Sequence, residues 1–235
     1  MPALLNTLKR NLRGKHRVGV GQVKFGSFAG TDPVSRDFGF DRGLPIDRYY
    51  VEAFLTEHAG DIRGRALEIG DASYCRRFGG DQIGRQEVLH VHADAPEATI
   101  VGDLSLPGTL PAGGLDCAVL TQTIHLIYDM KAAVMELRRG MKPGGVALVT
   151  VPGITPIARD EWGDTWYWSL TKLSASRLFG EVFGESNVAV TQYGNAFAAT
   201  AFVQGVAVEE VSRDKLDVFD ACYPVILGIR AVCPD

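Results

Sequence analysis

Acidic, glycine and histidine residues follow two apolar segments of this chain, at positions where a ligand site would need them. The segment 65–70 reads RALEIG, so Glu68 and Gly70 close an apolar run. A glycine turn after the first strand of a β-α-β unit marks a ligand site at the carboxyl end of a parallel sheet. A second apolar run, 115–121, is followed by His125, and a histidine with a pKa near neutrality can accept a proton. The two segments predict a ligand site with a general base.

The glycine turn itself restricts the kind of ligand. A dinucleotide-binding loop needs three glycines, so that the backbone can approach a pyrophosphate and the helix can pack closely. Here Ala72 and Tyr74 occupy the second and third glycine positions. A tyrosine side chain is hard to accommodate where a pyrophosphate should lie, and the carboxylate of Glu68 suits a cationic or amino-bearing ligand better than a polyphosphate.

These segments belong to an alternation of strands and helices. A helix with an apolar stripe is predicted from Pro45, and another over about 129–141, which stops at Lys142-Pro143-Gly144. Such alternation implies a parallel sheet covered on both faces. The predicted strands lie at about 65–70, 87–92, 98–101, 115–121 and 145–151.

The last third of the chain has a different pattern. A capped helix opens near Leu173 and ends near Gly184, and an alternating strand follows at 188–193. Small apolar residues at 195–204 predict a helix, and the run 223–232 predicts a final strand. Two strands separated by a helix, after the fifth parallel strand, indicate a hairpin-like addition to the sheet.

Composition excludes several classes of protein. The formal net charge of −4 argues against nucleic acid as the main partner, because phosphate binding needs a basic face. No apolar stretch approaches the roughly 20 residues of a membrane span, and the first residues lack the apolar core of a signal peptide. The histidines, cysteines and carboxylates have no metal-ligand spacing, so no metal is expected. A cytoplasmic protein is predicted. One basic cluster stands out near the start, either as a solvated terminus or as an arm that meets an anionic partner: Lys9, Arg10, Arg13, Lys15 and Arg17.

Taken jointly, the segments resemble class I S-adenosylmethionine-dependent methyltransferases, and among them the bacterial type 11-like enzymes associated with glycosyltransferases and natural-product clusters. The segments that carry the resemblance are DRGLPIDRYYVEAFL, RGRALEIGDASYCRRFGG, EVLHV, ATIVGDLS, LDCAVLTQTIHLIYD, LRRGMKPGGVALVTVPGI and YPVILGIRAVCP. The resemblance implies a Rossmann-like α/β fold with a mostly parallel seven-stranded sheet and helices on both faces. It places a methyltransferase domain at 46–235, preceded by an arm or lid at 1–45.

The resemblance also implies where S-adenosylmethionine binds and where S-adenosylhomocysteine is left as product. The first motif would lie beside the methionine part of the cofactor, His92 or Asp94 would hold the ribose, and Asp103 and Leu104 would hold the adenine. Arg48 is a candidate for the cofactor's carboxylate. The expected cofactor-binding residues are Tyr49, Glu68, Gly70, Asp71, His92, Asp94, Gly102, Asp103, Leu104, Thr121 and Gln122.

The acceptor is expected to be a small molecule, a sugar or secondary metabolite methylated at oxygen, with His125 as the base. His125 has a second interpretation, in which it packs or caps the helix that begins near Tyr128. All three tryptophans fall in 161–168, and flat aromatic rings can wall a sugar or an aromatic acceptor. The same residues would also suit a dimer contact or a cover over the core. The expected acceptor-binding residues are Tyr128, Trp162 and Trp166.

Two other classes of function stay open. The replaced glycines and the missing acidic residue at His92 are compatible with a catalytically degenerate binding or regulatory protein of the same fold. A nicotinamide-dependent oxidoreductase is a third interpretation, against which the glycine loop argues. Either a monomer or a homodimer is compatible with the sequence.

Overall fold

The structure is a computed structural model that describes residues 18–235, and the chain forms two compact units, Met1–Pro33 and Val34–Asp235. The described part of the first unit is mostly exposed and contains one short 3-10 helix, Gly26–Phe28. The basic cluster of the N-terminal arm lies outside the described residues.

The second unit alternates strands and helices in the predicted order. Its seven strands are β1 Gly64–Ile69, β2 Ile83–His90, β3 Ile100–Val101, β4 Leu115–Thr121, β5 Met141–Pro152, β6 Val188–Tyr193 and β7 Ile226–Val232. Its α-helices are α1 Ile46–Glu57, α2 Met130–Gly140, α3 Lys172–Phe183, α4 Ala196–Val203 and α5 Arg213–Leu216.

The strands form one sheet in the order β3-β2-β1-β4-β5-β7-β6. The first five strands are parallel to one another, and β7 runs antiparallel to both β5 and β6. The predicted fold class, a mostly parallel seven-stranded sheet with helices, is confirmed. From β1 to β3 the strands are added toward one edge of the sheet, and from β4 onward they are added toward the other edge. The switch between β1 and β4 is the point at which an open α/β sheet forms a crevice for a ligand.

Helices pack on the two faces of this sheet through apolar side chains. Phe179 and Phe183 of α3 and Leu137 of α2 are fully buried in one cluster with residues of β4, β5 and β7. On α1, Phe54 lies against Gly228 of β7 so closely that an added Cβ would come within 2.4 Å of its ring. Glycine at 228 therefore lets α1 approach the sheet.

Polar side chains cap the N-termini of α2 and α3. Asp129 caps α2 by accepting the N–H of Ala132 at 3.0 Å. Thr171 and Ser174 form a reciprocal capping box at the start of α3. Such caps satisfy N–H groups that have no partner inside the helix.

Several strand boundaries differ from the prediction, among them the start of β2 at Ile83 and the start of β7 at Ile226. β2 ends at His90, two residues before the predicted end, and β5 already begins at Met141. At β5 the glycines 144 and 145 do not break the pairing, because Gly144 N–H donates to the Cys233 carbonyl and Gly145 accepts from Cys233 N–H.

Residues 34–45 are tied to the second unit. The Ser35 N–H donates to the Gln204 carbonyl at 3.0 Å, and the Val208 N–H donates to the Leu44 carbonyl at 2.8 Å. The boundary expected at residue 45 therefore falls inside this unit, which begins at Val34. Within residues 18–235, no helix has the length and apolar character needed to span a membrane.

Candidate functional site

A cleft of about 1060 Å³ lies at the carboxyl ends of β1, β2 and β4. Eleven of the residues expected in the site line it: Glu68, Gly70, Asp71, Gly102, Asp103, Leu104, Thr121, Gln122, Tyr128, Trp162 and Trp166. Four do not line it, namely Tyr49, His92, Asp94 and His125. The topology thus gathers most of the expected residues at one edge of the sheet.

Glu68 binds the backbone of the glycine loop through its carboxylate. Its carboxylate accepts the N–H groups of Tyr74 at 3.1 Å and Cys75 at 2.7 Å, and the residue is only 2% exposed. Burial raises the pKa of Glu68 to about 7, although the two backbone N–H groups oppose the shift. Gly70 adopts a φ of +89°, a conformation that favours glycine.

The two residues at the missing glycine positions differ in their surroundings: Ala72 is buried, and Tyr74 lines the cleft. Ala72 is fully buried, and its N–H donates to the Glu97 carboxylate at 3.2 Å. Tyr74 lines the cleft, and burial raises the pKa of its phenol. A tyrosine ring therefore stands in the wall where a dinucleotide loop would leave room for a pyrophosphate.

The end of β2 brings a different histidine to the cleft. His90 and Val91 line it, whereas His92 and Asp94 are exposed and outside the lining. Because β2 ends at His90, the chain has turned away by residue 92, and the His92 N–H donates back to His90 Nδ1 at 3.0 Å. The expectation that His92 or Asp94 holds the ribose is not supported by this geometry.

The segment expected at the adenine lines the cleft after β3. Gly102 N–H donates to the His90 carbonyl at 3.0 Å, which ties this segment to the end of β2. Asp103 Oδ1 accepts from the N–H of Ser105 at 2.8 Å and from its hydroxyl at 2.7 Å. Leu104 is 4% exposed, so most of its side chain packs in the core.

Gln122 stands in a strained backbone conformation directly after β4. Its φ is +50°, which is uncommon for a residue other than glycine. The conformation is held by the Gln122 N–H, which donates to the Thr150 carbonyl at 3.0 Å. Strain of this kind persists where surrounding structure fixes it, and it is frequent at binding sites.

The first turn of α1 contributes Asp47 and Arg48 to the cleft, but not Tyr49. Successive helix residues point about 100° apart, so the three cannot share one direction. The Tyr49 hydroxyl donates instead to Asp217 at 2.6 Å. The structure therefore directs Tyr49 away from the cleft, and it brings in Asp47, which the sequence pattern did not indicate.

His125 lies beneath the cleft wall and not in it. It is fully buried, and its ring meets Trp166 edge to face at 4.5 Å between centroids. Burial and the nearby Arg48 lower its pKa to about 3, and neither ring nitrogen has a hydrogen-bond partner among the described residues. A fully buried imidazole outside the lining, with so low a pKa, does not favour the general base predicted at His125.

Aromatic side chains wall the end of the cleft away from the glycine loop. Phe38 stacks on Trp166 with ring centroids 5.9 Å apart and on Phe202 at 6.1 Å. Phe38 also has a positive φ of +53°. Phe40 and Phe202 line the cleft beside the expected Tyr128, Trp162 and Trp166. Sequence reasoning missed all three phenylalanines, because nothing local relates positions 38, 40 or 202 to the strand ends.

In the part of the chain that the structure describes, no group of three or more His, Cys, Asp or Glu side chains is placed to hold a metal ion. The described lining of the cleft offers carboxylates, the guanidinium of Arg48, the imidazole of His90 and an aromatic wall.

Comparison with known proteins gives the fold but no close relative. No protein-family profile matches the chain, and no curated protein matches it in sequence. Solved structures do match. A SAM-dependent methyltransferase from Archaeoglobus fulgidus has a TM-score of 0.52 at 12% identity, covering 79% of this chain and 94% of its own. The YcgJ protein from Bacillus subtilis has a TM-score of 0.50 at 12% identity, covering 80% and 99%.

A third similar structure is that of the [4+2]-cyclase SpnF, with a TM-score of 0.50 at 15% identity, covering 79% of this chain and 81% of its own. At such identities the likeness establishes the architecture. The chain has the fold of class I S-adenosylmethionine-dependent methyltransferases, and its cleft lies at the carboxyl edge of the sheet where that fold binds a ligand.

Proposed function

We propose that this protein transfers a methyl group from S-adenosylmethionine to a small molecule. The observation that carries the proposal is the cleft at the ends of β1, β2 and β4, whose glycine loop is pinned by Glu68 and carries Tyr74 where a pyrophosphate would lie. The cofactor has a sulfonium charge and no phosphate, so it fits this loop better than a dinucleotide does.

The lining residues suggest how the cofactor is held. The loop from Glu68 to Tyr74 would lie beside its methionine part, with Arg48 near the carboxylate. Asp103 and Leu104 would hold the adenine, and His90, which lines the cleft at the end of β2, would hold the ribose in place of His92 or Asp94. Thr121 and Gln122 would face the sulfur.

When bound, the cofactor supplies a methyl group on a sulfonium, which passes to the acceptor as the C–S bond breaks and S-adenosylhomocysteine is left. We propose an oxygen acceptor, a hydroxyl of a sugar or secondary metabolite, whose proton would pass to solvent water as the new C–O bond forms. Alignment by the aromatic wall and exclusion of water would supply most of the rate enhancement. No role as base is proposed for His125.

A binding or regulatory protein without methyl transfer is the second candidate. Ala72 and Tyr74 at two glycine positions favour it, and a protein named a [4+2]-cyclase shares this fold. The first proposal, methyl transfer, also includes a role in natural-product biosynthesis and a cytoplasmic location. It is compatible with either a monomer or a homodimer.

The proposal is tested by the thermal stability of the protein with S-adenosylmethionine, S-adenosylhomocysteine or NAD. A ligand that binds only the folded state at a hundredfold excess over its Kd adds about 2.7 kcal/mol of stability. We expect the melting temperature to rise with the first two and not with NAD. A rise with NAD alone, or with none of the three, would reject the cofactor assignment.

A matched pair of variants locates the site. Asp103→Asn, in the cleft, should weaken S-adenosylmethionine binding about tenfold, since one hydrogen bond to a charged group is worth about 1.5 kcal/mol or more. Asp94→Asn changes the same charge at an exposed position outside the lining and should leave the affinity unchanged. Transfer of labelled methyl groups to a panel of sugars and phenols then separates an enzyme from a binding protein.

A further inference from the structure

One part of the cleft wall is a stack of three aromatic rings. The described lining is acidic, with seven carboxyl groups, but Phe38, Trp166 and Phe202 also line the cleft. We call these three rings the ring stack. Phe38 is its middle ring, with a centroid 5.9 Å from that of Trp166 and 6.1 Å from that of Phe202. Because Phe38 contacts both of the other rings, its side chain fills the space between them.

The backbone holds the Phe38 ring in an unfavourable conformation. Its φ of +53° is rare for a bulky residue, whereas glycine adopts this conformation freely. The hydroxyl oxygen of Ser35 fixes the turn, since it accepts the N–H of Asp37 at 3.1 Å and that of Gly39 at 3.3 Å. A phenylalanine where glycine would be unstrained indicates that the ring itself is needed at this place.

The turn that carries Phe38 packs closely against the turn that follows α4, the helix of Phe202. Two glycines allow this approach. A Cβ on Gly39 would lie 3.0 Å from the Gly205 carbonyl oxygen, and a Cβ on Gly205 would lie 2.4 Å from the Ser35 carbonyl oxygen. These backbone contacts fix the position of the Phe38 ring beside that of Phe202.

The two outer rings of the stack have other contacts that hold them. The ring of Trp166 meets that of His125 edge to face at 4.5 Å between centroids, and its backbone N–H donates to the Gly163 carbonyl at 3.3 Å. Phe202 is 2% exposed and lies within α4. Both rings should therefore keep their places when the Phe38 ring is removed, and a gap the size of a phenyl ring should open in the wall.

The volume of the cleft makes this wall important. A pocket that binds one small molecule usually measures about 300–1000 Å³. In the proposed function, this cleft of about 1060 Å³ holds both S-adenosylmethionine and the methyl acceptor. Little space is then left for the acceptor, so a ring in the wall determines how large an acceptor can be.

We propose that Phe38 is a specificity-determining residue, which limits the size of the methyl acceptor by closing the cleft between Trp166 and Phe202. This inference rests on the proposed function and narrows its acceptor to compact molecules that end at the ring stack. Phe38 selects the substrate and takes no part in the chemical step. Its loss should therefore admit larger ligands and leave cofactor binding unchanged.

The test uses the full chain saturated with S-adenosylhomocysteine and two probes, phenol and para-phenylphenol. Phe38→Gly removes one phenyl ring and relieves the strain of the positive φ, and para-phenylphenol carries one ring more than phenol. Calorimetry should show para-phenylphenol binding to this variant about tenfold or more tighter than to the unaltered protein, because its second ring is buried in the gap. Phenol should bind both proteins with similar affinity. Unchanged or weaker binding of para-phenylphenol, or an equal gain for phenol, overturns the proposal.

Two further variants separate the size of the wall from general effects on the fold. Phe219→Gly makes the same change at an exposed position outside the cleft lining, and it should leave both affinities unchanged. Phe38→Leu keeps a smaller apolar side chain and should give an intermediate gain for para-phenylphenol. If Phe38→Gly does not fold, Phe38→Leu carries the test, and the absence of any gain in that variant overturns the proposal.

The two proposals fail separately in this design. If S-adenosylhomocysteine does not bind the unaltered protein, the proposed function is wrong. If it binds with equal affinity to the unaltered protein and to Phe38→Gly, but para-phenylphenol gains nothing in the variant, the cofactor assignment stands and only the size-limiting role of Phe38 is rejected.

Discussion

Glu68 shows how one side chain can organise a loop. It ends the apolar part of β1, and both of its carboxylate oxygens accept backbone N–H groups of the turn that follows. The identity of this residue was visible in the sequence. Its role as the support of the loop required the structure, because residues six and seven positions further on return to it only after the turn has formed.

Replacing Glu68 by Gln should weaken the loop. The amide has one acceptor oxygen, so one of the two buried N–H groups loses its partner, at a cost of about 1–3 kcal/mol. Urea unfolding should show the loss as a lower midpoint, and S-adenosylmethionine affinity should fall with it. Glu97→Gln, at an exposed carboxylate that binds the same loop at Ala72, is the control and should cost less.

Glu68 also predicts a dependence of stability on pH. Its folded pKa of about 7 lies above the ordinary value of 4.5, so the folded state binds more protons between these values and stability falls as the pH rises through this window. This shift in the pKa of Glu68 contributes up to about 3 kcal/mol to the free energy of unfolding at low pH. The free energy of unfolding of wild type minus that of Glu68→Gln should therefore be larger near pH 5 than near pH 8. A difference that does not vary with pH would contradict this assignment.

At the residue scale the sequence predicted the lining best where a motif sits directly on a strand end, as at Gly70, Asp103 and Gln122. It did not predict the burial of His125, because only packing reveals that the ring lies against Trp166 with its pKa lowered to about 3. Asp47 escaped notice because a single carboxylate in a first helical turn is common.

Among the elements, α1 matters most to the cleft, since its first turn presents Asp47 and Arg48. Its position depends on Phe54 lying against Gly228 in β7. Periodicity predicted the helix and the strand separately. It could not predict their close approach, because that contact joins positions far apart in the chain.

Gly228→Ala should therefore displace α1. The new methyl group would meet the Phe54 ring, and overpacking of this kind costs about 1–3 kcal/mol. Denaturant unfolding should show the loss, and ligand affinity should fall with it as the first turn moves. Gly60→Ala places a methyl group where no atom lies within 4 Å, so a comparable loss in that variant would refute this explanation.

On the scale of the whole molecule, the sheet order and the acidic cleft act together. Strand–helix alternation was enough to predict the parallel sheet and the carboxyl edge as the ligand site. The balance of charge in the cleft could not be predicted, since its seven carboxyl groups come from segments spread between residues 37 and 160.

An acidic cleft should distinguish the cofactor from its product by charge. S-adenosylmethionine carries a sulfonium that S-adenosylhomocysteine lacks, so we expect the former to bind several-fold tighter at low ionic strength. The ratio should shrink toward one as salt is added, because screening shortens the reach of the carboxylates. Titrations of both ligands at about 0.02 M and about 0.5 M salt measure this ratio of affinities. A ratio that does not change with salt would contradict an electrostatic origin in the carboxylates of the cleft.

The place of β7 between β5 and β6 has a consequence for how the chain is made. β6 ends at Tyr193, and among residues 18–235 its one strand partner is β7, which begins at Ile226. During synthesis the ribosome must add more than thirty residues before β6 finds its partner, and until then the edge of β5 is also open. Unpaired strand edges promote association between chains. A nascent chain of this protein therefore keeps two strand edges unpaired until β7 has been made, and a stop codon before residue 226 should yield aggregates in place of a shorter folded domain.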